Sequence, residues 1–215
     1  MKTLSGGPLV CVITTGESSP ETFSESRDNI LGVIAGATRA GVSMIQIREK
    51  ALTARQLFEL SKEAARITAN SPTTLFVNGR PDIALEAGAD GVHLPSDGLP
   101  AAAVKNAFGS RLLIGVSTHS LGDIEDARQG GADFVTFGPV FATPGKGEPQ
   151  GVDMLSRVCS ATQGFPVIAV GGVDGSNFRS IFDAGAAGFA AIRFLNDAAA
   201  WERVIVPITG RNVKK

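Results

Sequence analysis

The chain has very little cysteine. Its two thiols, Cys11 and Cys159, lie far apart, each in or near an apolar run. This rules out a disulfide framework and offers no metal-ligand spacing, so two buried free thiols are expected. Nor is there an excess of charge of one sign: 20 Lys and Arg face 21 Asp and Glu, for a net charge of -1. That balance gives no reason to expect nucleic acid as an obligate partner. No stretch reaches the roughly 18 consecutive apolar residues of a membrane span, so no membrane partner is expected. Met1 to Pro8 shows neither the basic region nor the apolar core of a secretory leader, which makes the cytoplasm the expected location. A GxGxxG after the first strand-like run is also missing, and this argues against an open, dinucleotide-binding sheet.

What is present is a regular alternation. The chain has 215 residues, 43% of them hydrophobic, which suits one domain with a substantial core. Composition does not shift along it, so residues 1–215 are read as a single domain. Short strand-like runs occur at Leu9–Thr14, Met44–Arg48, Thr74–Asn78, Gly91–Leu94, Leu112–Ser117, Phe134–Phe137, Val167–Val170 and Gly188–Arg193. Helical stretches lie between and after them, near 27–40, 53–69, 81–87, 99–107, 120–129, 152–160, 176–184 and 197–204. Eight strands alternating with eight helices predict a (β/α)8 barrel with compact loops. The units Ala40-Gly41-Val42, Ala87-Gly88-Ala89-Asp90, Gly130-Gly131-Ala132-Asp133 and Ala184-Gly185-Ala186-Ala187 each close a helix and lead into an even-numbered strand. Glycine supplies the left-handed cap there, and the spacing predicts four repeated (βα)2 units.

In such a barrel the chemistry sits at the C-terminal ends of the strands, and the unusual polar residues cluster after those ends. Gly171-Gly172, after the seventh strand, leaves backbone N–H groups open to an anion, with a helix start expected near Ser176 and Arg193 able to fork onto a phosphate. A plain tight turn and a surface cation are the competing readings. Arg48 and Lys50 are two apart and point the same way if extended, which suits an anion or an anionic leaving group; Glu49 between them would partly neutralise a merely solvated cluster. Asn78 can both donate to and accept from a heteroaromatic ring, although Asn78-Gly79 is equally a common turn pair. His119, beside Ser117 and Thr118, is placed for proton transfer or, alternatively, for starting a helix next to Ser120. His93 is expected to face the barrel wall or a helix. Thr143-Pro144-Gly145-Lys146 forms a loop with one cation that could fold over a ligand.

Together Gln46–Lys50, Arg80–Ala84, Gly88–Leu94, Gly115–Ser120, Asp133–Lys146 and Pro166–Gly172 resemble the thiamine phosphate synthase and thiazole tautomerase superfamily. The synthase branch joins a pyrimidine diphosphate to a thiazole phosphate using magnesium. The resemblance implies that Arg48, Lys50 and Asn78 serve the pyrimidine and diphosphate end. Thr143 and Lys146 would reach both substrates, and Gly171, Gly172 and the end of the last strand would hold the thiazole phosphate. At the positions where synthases carry magnesium-holding aspartates this chain has Gly79 and Gly98, with Asp97 one position early. Gly145 and Arg193 also replace the usual threonine and serine. Asn-Gly-Arg and Leu-Pro-Ser look like the tautomerase branch, where the histidine matching His119 moves a proton and no metal is needed.

The sequence therefore predicts a metal-independent thiazole tautomerase. In this reading His119, Lys50 and Arg48 are catalytic, Asn78, Ser117, Thr143 and Lys146 bind substrate, and Gly171, Gly172 and Arg193 hold phosphate. Two alternatives stand beside it: a synthase whose magnesium site is rebuilt around Asp97, and a non-catalytic binder of a thiamine-related phosphate that regulates a partner. The expected ligand in each case is a small phosphorylated heteroaromatic molecule, and a homodimer is compatible with all three.

Overall fold

The computed structural model describes residues 2–4 and 7–209. Eight parallel strands close on themselves in sequence order. They are β1 (Leu9–Ile13), β2 (Met44–Ile47), β3 (Thr74–Asn78), β4 (Gly91–Leu94), β5 (Leu113–Thr118), β6 (Phe134–Phe137), β7 (Val167–Val170) and β8 (Gly188–Ala191). The eight helices are α1 (Phe23–Ala40), α2 (Ala54–Thr68), α3 (Pro81–Ala87), α4 (Ala101–Phe108), α5 (Leu121–Gln129), α6 (Gly151–Ala161), α7 (Phe178–Asp183) and α8 (Ala198–Thr209). Closure is made by β1 on β8, with Leu9 opposite Gly188 and Val12 opposite Ala191. The expected (β/α)8 barrel is thus the fold. No helix among the described residues is long and apolar enough to cross a membrane.

The small-residue units do what their sequence implied. Gly41, Gly88, Gly131 and Gly185 take φ of 82°, 77°, 84° and 89°, the left-handed backbone that turns a helix abruptly into the next strand. Several boundaries differ from expectation, among them these three. Helix α1 begins at Phe23, one turn before residue 27. Helix α7 begins at Phe178 because Ser176 is held outside it, its N–H and Oγ both donating to Asp174 Oδ1 at 2.8 and 2.6 Å. Strand β8 ends at Ala191, and the chain turns at Arg193 into a 3-10 helix, Phe194–Asn196. Asn196 Nδ2 donates to both Ile13 O and Ile192 O at 2.7 Å, which fixes that bend.

Strand side chains alternate between two cores. Outward residues such as Val10, Val12, Ile45, Val77, Val92 and Phe137 pack under the helices. Inward ones (Leu9, Cys11, Met44, Phe76, Leu113, Phe134, Ile168 and Ala190) fill the barrel axis. Phe76 and Phe134 meet edge to face at 5.2 Å. Their rings fit because Gly91 and Gly115 lie beside them: a Cβ there would come within 2.5 Å of Phe76 Cε1 and 2.2 Å of Phe134 Cζ. Cys11 is buried in this layer, and burial pushes its thiol up to about 12. Cys159 is free as expected but only half-buried.

Candidate active site

The same alternation fixes what lies above the apolar layer. Met44 points inward, so Gln46 does too; Phe76 is followed by Asn78, Gly91 by His93, Gly115 by Ser117, and Phe134 by Thr136. Gln46, His93 and Thr136 are buried polar residues, and Asn78 and Ser117 are half-buried at the mouth. Gln46 Nε2 donates to Asn78 Oδ1 at 3.0 Å and faces His93 Nδ1 at 3.1 Å. Thr136 Oγ1 lies 3.3 Å from His93 Nε2. Burial, and secondarily the charge of Arg48, push the His93 imidazole down to about 4, so it is neutral at pH 7. The expectation that His93 faces the barrel wall or a helix is therefore corrected: it lies on the barrel axis, because its neighbours Val92 and Leu94 take the outward positions. Asn78 is the last residue of β3 and turns inward, while Gly79 takes the turn at φ 67°.

Arg48 continues the inward parity just beyond β2. Its N–H donates to Thr14 Oγ1 at 2.9 Å, and its guanidinium lies close to Gly16, where an added Cβ would be 3.3 Å from Nη1. Glu49 does not neutralise its cationic neighbours. It is 2% exposed, and its two carboxylate oxygens accept the N–H of Gly16 at 3.0 Å and of Ser18 at 3.1 Å. Lys50 lies in the following turn and is exposed, so the two cations are not the extended pair that their spacing suggested. Lys146 and Arg193 are exposed on the same C-terminal rim. None of Arg48, Lys50, Lys146 and Arg193 joins an ion pair among the described residues.

His119 lies just past β5. Its Nδ1 is 2.6 Å from Gly138 O, a carbonyl that can only accept, so Nδ1 carries a hydrogen and donates it there. Its N–H donates to Asp123 Oδ2 at 2.9 Å, and its carbonyl accepts from Gln150 Nε2 at 2.6 Å. Ser120, not His119, caps α5. The loop after β6 folds onto the turn after β7. A Cβ on Gly171 would meet Pro139 Cα at 2.6 Å and Thr143 Oγ1 at 3.2 Å; one on Gly172 would meet Ala142 O at 2.6 Å. The glycine pair, at φ 99° and 64°, therefore lets two loops touch as well as exposing backbone near the mouth. Helix α7 behind it has only six residues and adds little dipole.

The carboxylates near the mouth do not fit a resident magnesium centre. Magnesium takes carboxylate oxygens in strict octahedral geometry. Glu49 is occupied by backbone N–H groups, and Asp82 pairs with Arg80. Asp123 caps α5 and Asp174 binds Ser176, while Asp97 is exposed with no carboxylate at Gly79 or Gly98 to complete a set. No cluster of three or more His, Cys, Asp or Glu among the described residues could hold a metal.

Gln46 and Thr136 were not singled out from the sequence, and Glu49 was read there only as a counter-charge to its cationic neighbours. A signal existed for the first two: each is a polar residue at an inward position of a strand that is otherwise apolar. Glu49 carried none, since nothing local tells that it reaches a loop 33 residues earlier.

The thiamine monophosphate synthase family model matches residues 11–195. A putative thiamine-phosphate synthase of Geobacter sulfurreducens is 47% identical over 167 residues, covering 76% of this chain and 78% of that protein. The thiamine-phosphate synthase of Chlorobium luteolum is 36% identical, covering 89% and 86%. Among solved structures, a thiamine phosphate pyrophosphorylase from Pyrococcus furiosus superposes with a TM-score of 0.79 at 28% identity, covering 95% of this chain and 98% of the other. These matches overturn the tautomerase expectation, since the relatives carry the synthase name even where Gly79 and Gly98 had suggested otherwise. The expectation had rested on two carboxylates missing at Gly79 and Gly98.

Proposed function

Since the chain belongs to the thiamine monophosphate synthase family, an enzyme family with small phosphorylated substrates, we propose that it is a transferase joining a pyrimidine diphosphate to a thiazole phosphate. The carbon–oxygen bond to diphosphate breaks and its electron pair leaves with the diphosphate. The thiazole nitrogen lone pair forms the new carbon–nitrogen bond. No net proton moves, so the reaction needs charge stabilisation more than a base.

The observation that carries the reading is the cationic rim, without ion-pair partners among the described residues, set above a polar floor. Diphosphate departure builds negative charge, and preorganised cations lower the barrier where that charge develops. Arg48 is the most constrained of them, its backbone tied to Thr14 and its guanidinium beside Gly16. In this reading Lys50 and Lys146 complete the neutralisation, and Gln46, Asn78 and Ser117 receive the pyrimidine. Gly171, Gly172 and Arg193 hold the thiazole phosphate, and Thr143 braces the loop that carries Lys146. His119 anchors the loop after β6 through Gly138 and transfers no proton. The carboxylates give a resident metal no seat, so no step is assigned to one.

The test is to incubate the purified protein with pyrimidine diphosphate and thiazole phosphate, with and without magnesium, and to follow thiamine phosphate and diphosphate. Equal amounts of both products are expected. Binding of both substrates without turnover under any condition would overturn the proposal and leave a binding protein.

A further inference from the structure

We propose that Gln150 is a positioning residue: it anchors the returning leg of the loop after β6 and thereby fixes where Lys146 stands at the mouth. What Lys146 does there rests on the synthase reading; the anchoring itself does not.

The loop runs from Gly138, just past β6, to Gln150, just before α6. Its two legs are held differently. The outgoing leg is bonded to its neighbour strand. Val140 N–H donates to Val170 O at 2.9 Å and Phe141 N–H to Gly171 O at 3.0 Å, which prolongs the pairing of β6 with β7 beyond the strand ends. Thr143 Oγ1 then donates to Phe141 O at 2.9 Å, and Lys146 N–H to Thr143 O at 3.1 Å. After Lys146 the chain comes loose. Gly147, Glu148 and Pro149 are exposed and make no hydrogen bond or ion pair among the described residues.

The next fixed point is Gln150, which is half-buried. Two backbone bonds close the neck there: Gln150 N–H donates to Pro139 O at 2.8 Å and Gly151 N–H to Val140 O at 3.0 Å. Both join the loop only to its own outgoing leg. The bond from Gln150 Nε2 to His119 O, 2.6 Å long, is the one that ties the returning leg to another part of the barrel among the described residues. The orientation of this amide is fixed, because a carbonyl only accepts and Nε2 alone can donate to it. His119 also holds the outgoing leg, since its Nδ1 donates to Gly138 O at 2.6 Å. Both ends of the loop are therefore fastened to one residue, whose own N–H is fixed on Asp123 Oδ2 in the first turn of α5. Compact loops with close ends depend on such fastenings, because a released leg regains backbone entropy.

The test uses Gln150→Met, which keeps an unbranched side chain and removes the donor. Trypsin cuts after Lys146 only when the tip can enter its active site. Timed digests read by mass spectrometry should show cleavage after Lys146 accelerated about tenfold, the effect of one lost hydrogen bond on local opening. Cleavage after Lys50 should keep its rate, whereas a merely structural loss would open both sites together. Equal rates after Lys146 in wild type and variant would overturn the inference. Kinetics supplies a second arm. Under the synthase reading kcat should fall about tenfold as Lys146 loses its fixed place, with the KM for thiazole phosphate unchanged. In a Lys146→Ala background the same substitution should change kcat by less than about twofold, because the two residues act as one unit. A fall that persists undiminished there, or no fall at all, would overturn the inference. A wild type that makes no thiamine phosphate refutes the synthase reading alone, and the digests still decide the anchor. Should Gln150→Met fail to fold, Gln150→Asn, which withdraws the amide by one methylene, takes its place in both arms with the same expected outcomes.

Discussion

Glu49 Oε1 accepts the Gly16 amide at 3.0 Å, and this one bond ties the end of β2 to the loop after β1. The other carboxylate oxygen takes the buried Ser18 N–H. Arg48, between β2 and Glu49, is thus held from both sides. Glu49→Ala should cost about 2–3 kcal/mol, since a buried donor loses a charged acceptor. Glu49→Gln, which keeps one acceptor, should cost about half as much. Urea unfolding measures both, and an alanine variant as stable as the wild type would contradict this role.

Arg48→Met keeps the apolar stem and removes the fork. Under the synthase reading kcat/KM should fall by about 10²–10³, the usual effect of losing one preorganised group at a developing charge. Arg48→Lys should restore only part of it, because an ammonium does not reproduce the forked geometry. Thermal stability should barely change, as the guanidinium makes no ion pair among the described residues. Steady-state kinetics with each substrate varied in turn reads the effect; an unaltered kcat/KM would remove Arg48 from the machinery.

Gly171→Ala tests the contact between loops. Its φ of 99° is strained for alanine, and the new Cβ would lie 2.6 Å from the Pro139 backbone. A loss of about 2–4 kcal/mol is expected from strain and overpacking, with a raised KM for thiazole phosphate under the synthase reading. Gly145→Ala is the matched control: it shares a positive φ, 73°, but meets nothing within 4 Å. It should cost only about 1 kcal/mol. Thermal unfolding of the two variants side by side separates strain from clash.

His93 makes stability depend on pH in a defined direction. Its folded value, about 4, lies below the ordinary 6.5, so between these values the unfolded chain takes up a proton that the folded one refuses. Its contribution is complete above pH 6.5 and is lost as pH falls toward 4. At about 1.4 kcal/mol per unit the loss amounts to roughly 3 kcal/mol. His93→Phe should lack this part of the slope. Denaturation midpoints from pH 7 to pH 4 would reveal it, and parallel slopes in the two proteins would refute it.

Magnesium titrated into the free protein should give no saturable heat, because no cluster of carboxylates among the described residues could hold the ion. Isothermal calorimetry decides this directly. Tight stoichiometric binding would mean that Asp97 recruits oxygen ligands from elsewhere.

The barrel was legible in the sequence because its signals are local. Continuous apolar runs mark strands buried on both faces, and Gly41, Gly88, Gly131 and Gly185 mark the turns. The rim segments were legible for the same reason: Arg48, Lys50, Asn78 and Lys146 follow directly from where strands end. What escaped depends on contacts between distant segments. Glu49 was read as a counter-charge because its backbone partners lie in another loop, and His93 was assigned to the wall because one residue of strand parity decides its side. Arg193 was placed at a strand end that Asn196 bends away.

The two aromatic rings below the polar layer have a further effect. Phe76 and Phe134, admitted by Gly91 and Gly115, fill the axis up to the level of Gln46 and His93. They act as a stopper: whatever enters the mouth can sink no deeper than that layer, so the height at which a ring comes to rest relative to Arg48 is set from underneath by groups that carry no polar atom. Under the synthase reading, shaving the stopper, as in Phe134→Leu, would lower the resting place of the pyrimidine ring and draw the reacting carbon away from the cations without altering any residue that touches it.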